Sequence, residues 1–423
     1  MLKQVEGSRA TAEAVARCRP QVVCAYPISP QTHIVEELSQ LVKLAELSGC
    51  EYINVESEFA AMSVAIGASV AGARAYTATS SQGFLFMVEA VYNAAGLGLP
   101  IVMTMANRAL GAPINIWNDQ SDSISQRDSG WIQMYAENNQ VVADLHIQAF
   151  KIAEALSLPV MVCMDGFILT HAVEQVDIPD QEAVDAFLPP FVPRQVLDPE
   201  HPVTIGAMVG PEAFMEVRYL GHLRQLEALQ VIPQVAAEFA EKFGRDSGGL
   251  VQAYRLEDAE TVIVALGSVL GTIKDAVDDA RDRGVKIGVL GITTFRPFPA
   301  AAICEGLRGA RRVVVIEKAL APGVGGIVSD EIRVALAASP LFQAQGAPPV
   351  WPVIAGLGGR PVTKAALRRL FDEAINGRLR SLTFLDLNSR LIEAEVGRLS
   401  ETPAGRYAEQ RLQDIGVVAA EAR

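Results

Sequence analysis

The 423-residue sequence is short of aromatic residues (6%), has only five cysteines and lacks any excess of positive charge, with 49 Asp and Glu against 36 Lys and Arg and a net charge of -13. Each shortage excludes something. A phosphate footprint needs clustered Lys and Arg, so neither nucleic acid nor an anionic membrane is expected as the main partner. Cys18, Cys24, Cys50, Cys163 and Cys304 are odd in number and have no Cys-x-x-Cys spacing, so no disulfide framework, zinc site or iron–sulfur site is signalled. His33, His146, His171, His201 and His222 show no metal-ligand spacing, and no residue is assigned to a metal. No apolar run approaches the ~20 residues of a membrane span, and the opening MLKQVEGSRATAEAVARCRP lacks the apolar centre of a signal peptide. A cytoplasmic location is the expectation.

What is present is a chain that is half hydrophobic, with positive mean hydropathy, able to bury two or three cores. Few aromatics among many Ala, Val, Ile and Gly suit α/β layers better than a β-sandwich. After a helical start over 10–17, the pattern predicts a strand at 22–26, the turn PISPQT and a helix from Thr32. A β-α-β-α-β unit follows: strand 52–55, helix 57–71, strand 73–79, the turn SSQG, helix 84–95 and strand 100–106. Such short links predict parallel strands buried on both faces. The first helix of this unit is dense in small residues, which fits tight internal packing and a subunit interface equally well.

Charged groups stand at the strand ends, where open α/β sheets place ligand contacts. Glu58 opens a helix and is followed by Phe59, Ala60, Ala61 and Met62, which draws it into apolar surroundings; Glu56 precedes it. Acidic residues in a first turn also simply complement the helix dipole. Arg108 ends the apolar strand IVMTMANR, where a guanidinium either pairs structurally or binds a small carboxylate through its fork. About thirty polar residues follow, ALGAPINIWNDQSDSISQRDSGWIQMYAENNQ, a length typical of a functional loop or partner-facing surface. A helix, the strand 159–164, a proline-rich surface excursion over 178–211 and a helical pattern over 212–243 broken at Pro233 complete the first half. The second half alternates strands at 261–266, 286–292, 312–317 and 350–354 with helices. Its GSVLG and GVGG segments read as tight turns, because neither has the full glycine fingerprint of a phosphate loop.

The motifs YPISPQT, VESEFAAMSVAIGASVAGARAYTATSSQG, ANRALGAPINIWNDQSD and GLGGRPVT, in this order, resemble the α subunits of thiamine-diphosphate-dependent 2-oxoacid:acceptor oxidoreductases, the pyruvate:ferredoxin oxidoreductase family. The resemblance implies a doubly wound, pyrimidine-type thiamine-diphosphate-binding domain over 1–245 and a transketolase C-terminal-like α/β domain over 246–375, while the charged, partly helical pattern of 376–423 reads as a C-terminal arm. By the same resemblance Glu58 is the catalytic glutamate that hydrogen-bonds N1′ of the aminopyrimidine, Ser81 and Gln82 are cofactor-binding, and Arg108 and Ser29 bind substrate. Ser29 departs from the family's threonine; the hydroxyl is kept, and the lost methyl enlarges the pocket slightly. The sequence shows neither a GDG followed by Asn to hold diphosphate and magnesium nor cysteine clusters. The resemblance therefore implies thiamine diphosphate shared with a partner subunit, Mg2+ and iron–sulfur clusters on β-, γ- and δ-type partners, CoA as co-substrate and ferredoxin or NAD as final acceptor. Pyruvate is the leading substrate, with an aryl 2-oxo acid such as phenylglyoxylate as the alternative, and a non-catalytic scaffold role is the reading from a different class.

Overall fold

The structure, a computed structural model, describes residues 2–401, so the arm expected over 376–423 lies partly outside the described residues. The chain opens with β1 (Leu2–Glu6) and α1 (Gly7–Arg17). It continues through β2 (Val22–Ala25), α2 (Thr32–Lys43), β3 (Glu51–Asn54), α3 (Glu58–Val70), β4 (Ala75–Thr79), α4 (Ser81–Phe86), α5 (Val88–Gly96) and β5 (Val102–Asn107). Then come α6 (Ser121–Ser125), β6 (Ile132–Tyr135), α7 (Asn139–Leu156), β7 (Val160–Asp165), β8 (Val173–Asp177), α8 (Gln181–Phe187) and α9 (Phe214–Phe243). Every residue of β4, β5, β6 and β7 is buried, as expected of parallel strands covered by helices on both faces. The Ser57 side chain starts α3 by accepting a hydrogen bond from the Ala60 N–H at 3.2 Å.

The second half contributes β9 (Val251–Tyr254), β10 (Thr261–Ala265), α10 (Val269–Arg281), β11 (Ile287–Ile292), β12 (Thr294–Arg296), α11 (Ala300–Gly306) and β13 (Arg312–Glu317). It ends with α12 (Val328–Ala338), α13 (Pro340–Gln345), β14 (Val350–Ile354), α14 (Lys364–Ile375), β15 (Thr383–Phe384) and α15 (Ser389–Glu401). Three sheets result. A seven-stranded sheet has the order β12-β6-β7-β5-β4-β2-β3, a six-stranded sheet has β15-β14-β13-β10-β11-β9, and β1 pairs antiparallel with β8. In the larger sheet the chain leaves β2 for its outer neighbour β3, crosses back to β4 on the other side of β2, and then moves outward through β5. The direction of winding therefore reverses between β2 and β4, and the crevice outside the carboxyl ends of those strands is where such sheets bind ligands.

Several sequence expectations need correction. The helix expected over 84–95 is two helices broken at Met87, and Ser81, Gln82 and Gly83 lie in the first of them rather than in a turn. β6 runs through the stretch expected to be loop, because its four residues pair in parallel with the distant β7 and polar neighbours hide that partner in sequence. β1, with five residues, and β12, with three, are likewise short and dependent on remote partners. α9 passes Pro233 unbroken: proline removes one backbone N–H, while Ala228, Ile232, Val235, Ala236 and Phe239 hold both flanks in the core. At the far end, β15 extends the smaller sheet from within the stretch expected to be an arm.

Arg74, only 5% exposed, fastens the start of β4 to its surroundings. Its guanidinium donates to both Glu154 oxygens, at 2.5 and 3.0 Å, and to the Cys18 and Pro189 carbonyls at 2.6 and 2.9 Å. Burial raises the Glu154 carboxyl pKa even with Arg74 beside it. Removing one partner of such a pair leaves a buried charge uncompensated, so Arg74→Ala should cost about 3–5 kcal/mol. Urea unfolding of wild type and variant at neutral pH measures this, and a loss under about 1 kcal/mol, the range of surface pairs, would show the pair to be solvated.

Candidate functional site

The residues singled out in the sequence gather around the crevice at the carboxyl ends of β2 to β5. Glu58 is the first residue of α3 and is 8% exposed, whereas Glu56 beside it points to solvent. Among the described residues nothing donates a hydrogen bond to the Glu58 carboxylate and no cation pairs with it. Gly83 of α4 makes this placement feasible, since a Cβ there would come within 2.6 Å of Glu58 Oε1 and 2.8 Å of Thr79 Oγ1. Thr79 Oγ1 is itself buried without a protein partner. An acceptor and a hydroxyl thus stand side by side with their hydrogen-bonding capacity unspent.

Arg108, 7% exposed, ends β5 on the other side of the switch point. Two backbone carbonyls hold it: Nε donates to Asn115 O at 3.1 Å and Nη1 to Ser29 O at 2.9 Å. No carboxylate side chain forms an ion pair with it among the described residues. Burial lowers its pKa, and the Asp122 charge acts in the opposite direction. A guanidinium fixed by neutral carbonyls and lacking a counter-ion is arranged to receive a carboxylate from outside. Ser29 meets Arg108 through its backbone oxygen, and the residue is exposed.

Asp122, which sequence reasoning did not single out, ties these parts together. It is fully buried on α6, and its Oδ2 accepts the Ser81 N–H at 3.0 Å and the Arg108 N–H at 2.9 Å. Its Oδ1 accepts from Asn107 Nδ2 and from the Ser123 N–H, both at 2.8 Å. Burial pushes its pKa up to about 7 against the pull of these donors. Ser81, held here at φ +48°, turns its hydroxyl to the Ala109 carbonyl at 2.5 Å and touches the Gln82 amide. The available signal was the polar stretch NDQSD, although nothing in it marks one Asp above another.

The second half of the chain braces the same loop. Asn115 Nδ2 donates to the Gly358 carbonyl at 3.2 Å, and the Gly358 N–H donates to Asp119 at 3.0 Å, so GLGG packs on the segment whose Asn115 carbonyl holds Arg108. Deeper in the junction, the β7 end residue Asp165 accepts from the Ser268 N–H at 3.0 Å and lies 3.2 Å from Lys318 Nζ. Although burial alone would raise it, Lys318 and Ser268 hold the Asp165 carboxyl below its usual pKa. Gln120 Nε2 donates to the Leu266 carbonyl across the same junction, and Gly267, at φ +79°, leaves room that a Cβ would take from Gln120. The crevice can thus offer one proton-accepting carboxylate, one orphaned hydroxyl and one anion-binding guanidinium. These fit an aminopyrimidine ring beside a small 2-oxo acid.

Comparison with known proteins follows the same line. The family model described as pyruvate flavodoxin/ferredoxin oxidoreductase, thiamine diP-bdg, matches residues 13–237, and the one described as pyruvate:ferredoxin oxidoreductase core domain II matches 259–367. The chain is 47% identical to pyruvate synthase subunit PorA of Methanosarcina barkeri over 395 residues, 92% of this chain and 97% of that one. PorA of Methanothermobacter thermautotrophicus is 46% identical over 389 residues, 92% and 98% of the two chains. Ketoisovalerate oxidoreductase subunit VorA of Pyrococcus abyssi is 42% identical over 373 residues, 88% and 93%. The 2-oxoglutarate:ferredoxin oxidoreductase from Magnetococcus marinus, solved with 2-oxoglutarate, coenzyme A and succinyl-CoA bound, superposes with a TM-score of 0.67 over 88% of this chain at 18% identity, which speaks to the fold. The present chain spans 65% of the length of that structure's chain.

The hub at Asp122 is open to test. An Asn amide has one acceptor oxygen and would turn its own NH2 towards donors, so Asp122→Asn should cost about 2–4 kcal/mol. In the fold the pKa of about 7 lies above that of the unfolded chain, so between the two the native state keeps a proton that the unfolded chain releases. The contribution of this carboxyl to stability is therefore greatest below about pH 4 and falls by on the order of 1 kcal/mol per pH unit up to its folded pKa. Urea unfolding should show the gap between wild type and Asp122→Asn narrowing between pH 5 and pH 7. A gap that does not change with pH would mean that the carboxyl ionises normally in the fold.

Proposed function

The chain belongs to the pyruvate flavodoxin/ferredoxin oxidoreductase family, and from that footing we propose that it is the α-type subunit of a hetero-oligomeric 2-oxoacid:acceptor oxidoreductase that converts a 2-oxo acid and CoA to an acyl-CoA and CO2. The observation that carries this reading is the pairing of an unspent anion with an unspent cation in one crevice: the Glu58 carboxylate without a donor and the Arg108 guanidinium held only by the Ser29 and Asn115 carbonyls. Thiamine diphosphate, when bound, supplies the carbon nucleophile and the electron sink for decarboxylation.

This chain's part is then binding and proton control. Glu58 holds a proton at N1′ of the aminopyrimidine, which needs a carboxyl within hydrogen-bond reach and sheltered from water. Ser81 and Gln82 would border the same ring with the cofactor bound, and Asp122 accepts the Ser81 N–H. Arg108 takes the substrate carboxylate through its free guanidinium edge, and the Ser29 hydroxyl donates to the same substrate. Mg2+, the diphosphate contacts and the iron–sulfur clusters fall to β-, γ- and δ-type partner subunits, and ferredoxin or NAD takes the electrons. That relatives over 92% of this chain are named subunits supports the need for partners. On this reading 1–245 is the cofactor-facing domain and 246–375 the transketolase C-terminal-like domain, with β15 adding part of the following stretch to the smaller sheet. No described helix is long and apolar enough to cross a membrane, and the reading keeps a cytoplasmic location.

Pyruvate is the substrate this reading favours, since two relatives are pyruvate synthase subunits. The ketoisovalerate relative and the small Ser29 keep a bulkier acid, such as phenylglyoxylate, as the alternative. The intact complex should reduce a low-potential dye with pyruvate only when CoA is present; faster reduction with phenylglyoxylate would reassign the substrate. Glu58→Gln should leave assembly intact and cut turnover at least ~100-fold, the scale of a positioned acid–base group. Unchanged turnover would leave the chain a scaffold. For Arg108→Ala, loss of a charge-assisted pair of about 1.5–3 kcal/mol should appear mainly in KM for the 2-oxo acid, and an unaltered KM would make the arginine structural.

A further inference from the structure

Three residues far apart in sequence converge where β1, α2 and the turn between β7 and β8 meet. Glu6 ends β1, His33 lies in the first turn of α2 and His171 lies in the turn. One ligand atom from each lies within 4.8 Å of the other two. We propose that Glu6, His33 and His171 form a binding site for a single divalent transition-metal ion of the zinc class, one that clamps the first strand to the edge of the catalytic crevice.

The ring geometry is the first argument. The His33 and His171 ring centres are 4.8 Å apart with their planes tilted by 34°. Two imidazoles bound to one ion through metal–nitrogen bonds of about 2.0–2.1 Å have centres roughly 4.5–5.2 Å apart at tetrahedral or octahedral angles. The Glu6 Oε1 to His33 Nδ1 distance, 2.7 Å, needs to open by only about half an ångström for both atoms to share that ion. Two imidazoles and one carboxylate are donors that suit zinc and its neighbours rather than calcium or magnesium.

The surroundings are built in the manner of a second shell. The Thr170 hydroxyl lies 2.7 Å from His171 Nδ1 and can take that ring's N–H, which fixes the ring and leaves Nε2 bare. The same hydroxyl accepts the Phe167 N–H at 2.8 Å. Nearby cations do not compete for Glu6, because Lys3 pairs with Glu13 and Arg9 with Glu13 and Glu37. Glu6 and His33 also border a polar groove of about 1060 Å³, which gives an ion its way in and room for water at open coordination positions.

The site also has a mechanical link to the crevice. Ring follows ring from His171 to Phe167 at 4.8 Å and from Phe167 to Trp117 at 4.9 Å. Phe167 holds φ +61°, a conformation costly for a bulky residue, and thereby places its ring between its two neighbours. Trp117 accepts the Ala109 N–H on its carbonyl at 3.0 Å, and its own N–H donates to Asn115, the residue whose carbonyl holds Arg108. An ion at one end of this stack therefore bears on the loop at the other.

The test uses the full-length chain stripped with chelator and titrated with Zn2+, and with Co2+ as a spectroscopic probe. One ion per chain should bind with Kd on the order of 1 µM or tighter, raise the unfolding temperature, and with Co2+ give visible absorption characteristic of nitrogen and oxygen ligation. His33→Ala and His171→Ala should each weaken binding at least ~10-fold, and the double variant should abolish it. Both side chains are partly exposed, and equal unfolding temperatures of wild type and variants in chelator establish that the variants fold. No stoichiometric binding, binding much looser than this, or equal binding by the double variant overturns the proposal. None of these readouts depends on turnover, so the result stands apart from the catalytic reading.

Discussion

The crevice depends on one buried carboxylate. Asp122 contributes nothing that faces solvent, yet its two oxygens collect N–H groups from the start of α4, from both residues at the end of β5 and from its own helix. The first turns of α4 and α6 and the carboxyl end of β5 each bring a backbone N–H that a buried site has to satisfy. Without an acceptor at their centre, the Ser81 and Arg108 amides would be orphaned and the start of α4 and the segment bearing Ala109 would lose their mutual register. Arg108 is then fixed twice, at its backbone by Asp122 and at its guanidinium by two carbonyls, and no carboxylate pairs directly with its guanidinium among the described residues. The energetic cost of burying one carboxylate is the condition for keeping one guanidinium unpaired and correctly aimed.

That division of labour has a counterpart in the junction between the two halves of the chain. Beside an apolar core shared by both halves, where Tyr135 packs on Phe295, polar contacts bridge the junction: Asp165 with Lys318 and Ser268, Asp119 with the Gly358 N–H, Gln120 with the Leu266 carbonyl. Directional bonds of this kind set angles as well as distances, whereas an apolar interface tolerates sliding. The loop that carries Asn115 is consequently positioned from above by GLGG and from below by α6, and the substrate-facing edge inherits the precision of both.

Much of this could be read from the sequence. The alternation of strands and helices, the placing of Glu58 and Arg108 at strand ends, and the importance of the polar stretch after Arg108 all follow from local pattern. The order of the strands does not, because the reversal at β2 is a property of pairings and leaves no trace in periodicity. β1, β6 and β12 are short segments that become strands only beside partners far along the chain. Asp122 is chemically indistinguishable in sequence from Asp119, and only the fold shows which of them is surrounded by donors. His33 and His171 are on different elements, so no spacing rule links them, yet their ring centres lie 4.8 Å apart.

Residues 294–296 come from the second half of the chain but close the outer edge of the first half's sheet by pairing with β6. On the ribosome, where chains emerge from the amino end, the larger sheet must wait with β6 paired to β7 on one side but open on its outer edge while β9 to β11 are still being made. An open edge with a fully buried apolar face is a template for wrong partners. The vulnerable period in the life of this molecule is therefore set by the distance in sequence between Tyr135 and Thr294, and shielding of nascent chains should matter most over that interval.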